Sequence, residues 1–570
     1  MMLKRSALPT WLVSCFLVTA CLLSRPLDAA DIASVGLEVP TFHCLGVRCF
    51  VTGDTGEREA IKLEYRKAGT AEWKRALDLF RVETEFVKGV NVPAGQQLYA
   101  GSVFDLEEDT AYELRVSVPG GALRVLRAKT WTEPVAPKPL RRLYVTPGNG
   151  GGKGTKANPF RGITAADAAA RPGDLILLAK GVYRGKVTLQ KSGTEQRPIV
   201  WRGVEGGGSI IDGGGESPVV STPGLRHVMF ENLTIRNGSW AMVAHGASHL
   251  TVRRCTFTKM DRGFTSTRMP SRCHVIVDCV FEGPSPWPRT PERGIEDTEG
   301  VQLIGEGHVV AYNRFREFGD AISIYRSPGH AIDFYNNDIS ECTDDGIEMD
   351  YGGVNTRCFR NRLTNCFQGI SVQPLFGGPC YIFRNVQYNT GVEMLKMHNR
   401  PSGFLFFHNT SVKTGGALIL YSSVPTRNSV FRNNLFVGTE GKYVLESTSR
   451  MIHCDWDYDG YAGGGGNFAK WNGVRYATFE DLRTKSPIEK HAVFVDAKTL
   501  FASGIQPPKD LKIQFPVTVN DLRLKAGGKA IDAGVVLPNV NDGFKGKAPD
   551  LGAYELGDPP PHYGPRPLKK

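Results

Sequence analysis

The sequence predicts an all-β protein: a right-handed parallel β-helix of about 24 residues per coil, preceded by a small β-sandwich. Three observations predict it. A polar motif followed by an apolar residue recurs at Asn313, Asn337, Asn361, Asn385, Asn409 and Asn434, at intervals of 24, 24, 24, 24 and 25 residues. A second motif, apolar-X-apolar, starts at Met242, Phe264, Val301, Ile322, Ile347, Ile370, Leu395 and Leu418, at intervals of 21 to 25 apart from one of 37. No 10-residue amphipathic helix fits between the repeats, which excludes helical hairpins. Three short strands and three turns per coil fit the period, and stacked coils bury one continuous apolar column.

The register extends back through Cys279, Cys255 and Leu233, with a longer interval of 34 between Cys279 and Asn313 that marks an insertion. Asn at a repeated turn bonds the Asn above and below, so these residues are read as a structural ladder. Cys255 with Cys279, and Cys342 with Cys366, are each 24 apart and are read as buried, stacked small residues. About ten coils are expected between residues 175 and 445.

The chain has 570 residues, more than one core normally serves. Apolar residues at 41 % supply a core, and charged residues at 22 % exclude general disorder. The only long apolar run is N-terminal, which excludes a multi-span membrane protein. Residues 1–30 read as a signal peptide: Lys4 and Arg5, then Trp11 to Leu23, then Leu27-Asp28-Ala29. Val18-Thr19-Ala20-Cys21 also resembles a bacterial lipobox, which would leave Cys21 lipidated on a membrane.

The whole chain carries +11; Lys4, Arg5, Arg25 and Asp28 leave the mature chain near +9. That suits a polyanionic partner, and export favours an acidic polysaccharide over nucleic acid. A secreted, periplasmic or surface monomer is expected. Cys44 and Cys49 are close enough in sequence to pair, and the absence of any CxxC pair gives a zinc site no support.

Residues 31–138 read as short alternating strands: Cys49-Phe50-Val51, Ile61 to Arg66, and Tyr112 to Val118. Phe104-Asp105-Leu106, a polar turn and Tyr112 resemble the tyrosine corner of fibronectin type III domains, and Tyr65-Arg66 followed by Trp73 resembles that family's core strand. The resemblance implies a spacer or binding module, with Pro134, Pro137 and Pro139 as a stiff linker. The β-helix domain is assigned to 140–445. Its start, Tyr144 to Gly148, Asn158-Pro159-Phe160, Ile163 to Ala170 and Pro172-Gly173-Asp174, resembles the N-terminal cap of secreted β-helix polysaccharidases. Residues 446–570 are expected to pack back along the helix.

Strands alternate in and out, so the residue after each inward apolar one points outward. That column reads Val243, Thr265, Gln302, Ser323, Glu348, Ser371, Lys396 and Ile419. Two residues further on it reads His245, Thr267, Ile304, Tyr325, Asp350, Gln373, His398 and Tyr421. The densest cluster is Asp344 to Asp350, with Asp320 one coil below. Carboxylates so close repel unless compensated, and all-oxygen clusters suit Ca2+; the alternative is that Asp344 and Asp345 are ordinary turn residues.

Asp-Asp-Gly-X-acid with another Asp one coil earlier resembles the calcium site of family 9 pectate lyases, secreted β-helices that use Ca2+ and a lysine base. The resemblance implies Ca2+ on Asp320, Asp344, Asp345 and Glu348, with Glu in place of that family's final Asp, and β-elimination on a uronic acid polymer. By column position Lys396 is the candidate base, expected with a lowered pKa beside cationic neighbours. His398, Arg400 and Tyr325 are further catalytic candidates, Tyr325 as donor to the leaving oxygen. Arg326, Gln373, Asp350 and Trp287 are substrate-binding candidates, Trp287 as a sugar-stacking ring on the inserted loop Pro284 to Glu296. The rival readings are a β-helix glycoside hydrolase of polygalacturonase type, a C5-epimerase, and a non-catalytic glycan-binding surface protein. Against the hydrolase, that family's Asn-Thr-Asp and Gly-His-Gly motifs are missing.

Overall fold

The computed structural model describes residues 30–53, 60–290, 292, 294, 296–517 and 520–568. The leader, with Cys15 and Cys21, lies outside the described residues. The N-terminal unit is two four-stranded antiparallel sheets. Asp31–Leu37, Leu45–Thr52, Gln97–Val103 and Phe80–Arg81 form one; Lys74–Arg75, Lys62–Lys67, Ala111–Ser117 and Leu123–Lys129 form the other. Alternation buries Val47, Cys49 and Val51 of one sheet against Leu63, Leu114 and Val116 of the other, making a β-sandwich. At its corner the Glu107 N–H donates to the Tyr112 hydroxyl at 3.0 Å. Trp73 is not in this core: it is half-buried on the outer side, sandwiched between the guanidinium groups of Arg66 and Arg115 at 4.4 and 4.3 Å.

The rest is a parallel β-helix of about 12 coils with about 24 residues per coil. The helix Ile163–Ala169 caps its first coils, with Ile163 and Ala166 joining the core. The inward column Met242, Phe264, Val301, Ile322, Ile347, Ile370 and Leu395 pairs coil to coil and is fully buried. Phe257, Phe281 and Phe315 stack along the same core at 4.5 and 4.7 Å.

The asparagine ladder is continuous. Asn313, Asn337, Asn361, Asn385 and Asn409 each donate Nδ2 to the Oδ1 of the next, at 2.9 to 3.1 Å, ending on Asn434. It runs on to Asp459, whose Oδ1 accepts from Asn434 Nδ2 at 2.9 Å. All ten described cysteines are thiols. Cys342 sits opposite Cys366 as a buried small residue. The expected pairing of Cys44 and Cys49 does not occur: Cys49 faces the sandwich core and Cys44 faces away from it, toward the β-helix.

Each coil has three faces. On face one, Val275, Val309, Tyr335, Phe359, Tyr381 and Phe407 pack against Phe42, Phe80, Val82, Leu98 and Phe104 of the sandwich. Within this interface Arg357 and Asp333 form a fully buried ion pair, and the Ser102 hydroxyl lies 3.0 Å from Asn355 Oδ1. The sandwich is therefore seated on the β-helix, not held off it as a spacer. Coils also continue past residue 445, the boundary expected from the repeat: Leu435–Ser447 pairs in parallel with Gly460–Trp471, and Gly460–Tyr461 with Val493–Phe494. The remaining tail covers face two, where Val386, Tyr388, Val412 and Val437 meet Val495, Leu500, Leu522 and Leu524. Face three is left for chemistry.

Candidate functional site

Face three is built from Arg262–Ser266, Glu299–Glu306, Asp320–His330, the end of Asp338–Glu348, the end of Arg362–Ser371, and Leu395–Lys396. The outward column is as the spacing predicts: Thr265 pairs with Gln302, Gln302 with Ser323, Ser323 with Glu348, Glu348 with Ser371, and Ser371 with Lys396. Its side chains are more enclosed than expected. Thr265, Gln302, Ser323, Ser371 and Lys396 are buried, and only Glu348 is half-buried.

A second column, two residues before each inward apolar residue, holds most of the charge. It reads Arg262, Glu299, Asp320, Asp345, Gln368 and Glu393. Arg262 pairs with Glu299, Glu299 with Asp320, and Asp345 with Gln368. One extra residue in the coil puts Asp345, not Asp344, directly over Asp320, and the Asp345 N–H donates to Asp320 Oδ1 at 2.8 Å.

Two triads of carboxylates result, sharing Asp320. In each of them, Asp320 with Asp344 and Asp345, and Asp320 with Glu299 and Glu348, one oxygen per residue lies within 4.8 Å of the others. Burial pushes four of them up: Glu299 to about 7 and, with repulsion from neighbouring carboxylates added, Asp345 to about 7 and Asp320 and Glu348 well above the usual carboxylate range. Asp345 Oδ1 is buried without a hydrogen-bond partner. Hard oxygen donors converging with an unsatisfied buried oxygen fit a Ca2+-sized cation.

Lys396 reaches back across two coils to this cluster. Its Nζ lies 2.6 Å from Asp345 Oδ2 and 3.9 Å from Asp344 Oδ1. Burial acts to lower its pKa, but the Asp345 and Asp344 carboxylates outweigh burial and hold it above the usual lysine value. The lowered pKa expected from cationic neighbours is thus corrected: the groups beside Lys396 are anions. Asp350, two residues beyond Glu348, accepts from Ser371 Oγ at 2.6 Å and from the Gln373 N–H at 2.7 Å; burial, then Asp345, raises it to about 8.

The other expected residues divide. His398 Nε2 stands 3.1 Å from Glu393 Oε2, and burial followed by the Lys396 charge lowers its pKa. Tyr325 and Arg326 stack on each other at 5.0 Å beside Tyr351, without touching the carboxylates. Arg400 is exposed and makes no ion pair with the cluster. Trp287 is only 9 % exposed, so it is not the free stacking ring expected. The inserted loop contributes Arg289 instead, whose Nη1 lies 3.7 Å from Asp344 Oδ1 and whose guanidinium covers the Phe367 ring at 4.2 Å. Glu299, Glu393 and Arg289 were missed. The first two had a signal: they keep the offset of Asp320 and Asp345 from the inward apolar residue. Arg289 had none, because an insertion has no register.

One family model agrees with this architecture. Residues 219–373 match the family model of the right handed beta helix region. The chain is 23 % identical over 447 residues to pectate lyase L of Dickeya chrysanthemi, covering 73 % of this chain and 90 % of that protein. It is 29 % identical over 102 residues to the uncharacterized protein YwoF of Bacillus subtilis, spanning 17 % of this chain and 22 % of that protein. Among solved structures, pectate lyase Pel9A superposes with a TM-score of 0.41 at 17 % identity, over 73 % of this chain and 96 % of that one. A XylC complex with xylose gives 0.47 at 10 % identity, over 73 % and 98 %.

Proposed function

We propose that this protein is a secreted polysaccharide lyase that cleaves an acidic, uronate-containing polysaccharide by β-elimination with Ca2+. The observation that carries the reading is Lys396 beside the Asp344–Asp345 pair, on the β-helix face that, among the described residues, neither sandwich nor tail covers. The lengthwise similarity to pectate lyase L supports it.

In β-elimination a base removes the proton on C5 of a uronate. The C5–H electron pair becomes the C4–C5 double bond, and the C4–O4 bond breaks as O4 takes a proton. Lys396 is the base; its amine must be neutral when it acts, so the Asp345 and Asp344 carboxylates that hold its proton would first have to be neutralised by the cation. Asp320, Asp344, Asp345 and Glu348, with Glu299 behind Asp320, are the residues that would hold the cation. When bound, Ca2+ supplies positive charge that stabilises negative charge on the substrate carboxylate. Arg289 adds a second positive group beside Asp344, and His398 would move a proton near Lys396.

A panel of acidic polysaccharides, with and without chelator, monitored at the ultraviolet absorbance of unsaturated uronides, tests the reading. Chelator-sensitive absorbance on one of them is expected. Saturated reducing ends alone would replace the lyase by a hydrolase, and binding without cleavage by a glycan-binding protein.

A further inference from the structure

Face three continues beyond Lys396. Two residues on stands His398, and one coil later Tyr421, Ser422 and Ser423. With Asn399 and Thr448 they line a cleft of about 410 Å3, within the range of small-ligand sites. Tyr421 is 43 % exposed, an aromatic ring left in solvent beside hydroxyl and amide groups.

The walls are fixed from behind. Glu393 is 2 % exposed and lies under the cleft. Its Oε1 accepts from the Tyr421 N–H at 2.6 Å, and its Oε2 stands 3.1 Å from His398 Nε2. One buried carboxylate therefore braces two adjacent coils at the place where both meet the cleft. On the far side the Ser422 N–H donates to Thr448 Oγ1 at 2.9 Å. Among the described residues no lysine or arginine lines the cleft, and Lys396 turns away from it toward Asp345. Such a site suits the hydroxyls and the apolar face of a sugar ring.

We propose that this cleft is a sugar subsite beside the reacting centre, in which one pyranose ring stacks on Tyr421 and bonds through its hydroxyls to Ser422, Thr448 and Asn399. Its place next to Lys396 rests on the lyase reading; its lining does not. A chain bound there extends the polysaccharide by at least one residue past the ring whose proton Lys396 removes. Long oligosaccharides then bind better than short ones, and Tyr421 carries part of that gain.

The test is calorimetry with oligogalacturonates of two to eight residues and Ca2+, on the full-length chain carrying Lys396→Ala to stop turnover. Adding Tyr421→Ala should weaken binding of the longest oligomer about tenfold and of the dimer less than twofold, while Tyr421→Phe stays within twofold throughout. Equal losses at every length, no loss at any, or no binding of any oligomer would overturn the subsite. The ultraviolet assay on the wild-type chain separates the two ideas. Length-dependent binding that needs Tyr421, with no unsaturated product, retains the subsite and removes the lyase. Unsaturated product with binding indifferent to Tyr421→Ala does the reverse.

Discussion

Lys396 Nζ and Asp345 Oδ2 lie 2.6 Å apart although 51 residues separate them in sequence. The strand register alone puts Lys396 two coils from Glu348; the flexible four-carbon stem closes the distance to the acids. The ion pair joins the candidate base to the cluster that would hold the cation. Lys396→Ala should abolish unsaturated product, a loss of about 10²–10⁴-fold or more. The loss should fall on kcat more than on KM, because the amine acts mainly in the transition state.

Lys396→Arg is the sharper variant. It keeps a positive charge against Asp345 but offers a guanidinium that does not give up its proton. It should fold like the wild type by circular dichroism and remain inactive. Activity within tenfold of wild type in either variant would place the base elsewhere on face three.

The carboxylate cluster leads to a metal prediction. A ligand that binds only the folded state stabilises it, by about 2.7 kcal/mol at a hundred times its Kd. The melting temperature should rise with Ca2+ and fall back with chelator. Asp345→Ala and Asp320→Ala should each flatten that response. A melting temperature indifferent to Ca2+ in the wild type removes the cation from the site.

The residues that repeat were legible in the sequence. Asn313 to Asn434 and Met242 to Leu395 announce themselves because stacking forces equivalent positions to recur, and this fixed the coil length, the inward column and the register of Glu348, Ser371 and Lys396. What did not repeat was hidden. Asp345 rather than Asp344 covers Asp320 because one coil holds an extra residue. The positive charge near the cluster comes from Arg289, on a loop outside the repeat. Trp287 looked like a ligand platform because side-chain burial in an insertion depends on contacts that spacing does not encode. The reach of Lys396 was equally invisible, since register places Cα atoms and not the ends of long side chains.

The ladder predicts a stability effect far from the chemistry. Asn385 is fully buried; its Nδ2 donates to Asn409 Oδ1 and to the Cys358 carbonyl, both at 3.0 Å. Its Oδ1 accepts from the Asn361 N–H and Nδ2, both at 3.0 Å. Asn385→Ala leaves several of these partners buried and unsatisfied, at about 1–3 kcal/mol each. Denaturant unfolding should show a loss of about 3 kcal/mol or more. A loss below 1 kcal/mol would mean that the neighbouring coils relax to re-pair those groups.

The end of the ladder predicts a pH dependence. Asp459 continues the asparagines, but its Oδ2 is buried without a partner. Glu489 lies alongside, with its Oε2 3.4 Å from the Asp459 nitrogen and its Oε1 accepting from the Tyr461 hydroxyl at 2.7 Å. Burial and the Glu489 charge push Asp459 well above the usual carboxylate range, and burial raises Glu489 to about 7. Both acids bind a proton more tightly folded than unfolded. Their contribution is therefore fully present below the unfolded value near 4 and is lost as pH rises through about 7. Asp459→Asn keeps the Oδ1 acceptor for Asn434 and removes one of the two charges. The variant should match the wild type near pH 4 and exceed it by about 1 kcal/mol or more at pH 8, since a tenfold difference in proton affinity between the folded and unfolded chain is worth about 1.4 kcal/mol. Melting temperatures of the two chains from pH 4 to pH 9 give the comparison. Curves that stay parallel across that range would show that the carboxyl pair does not titrate with folding.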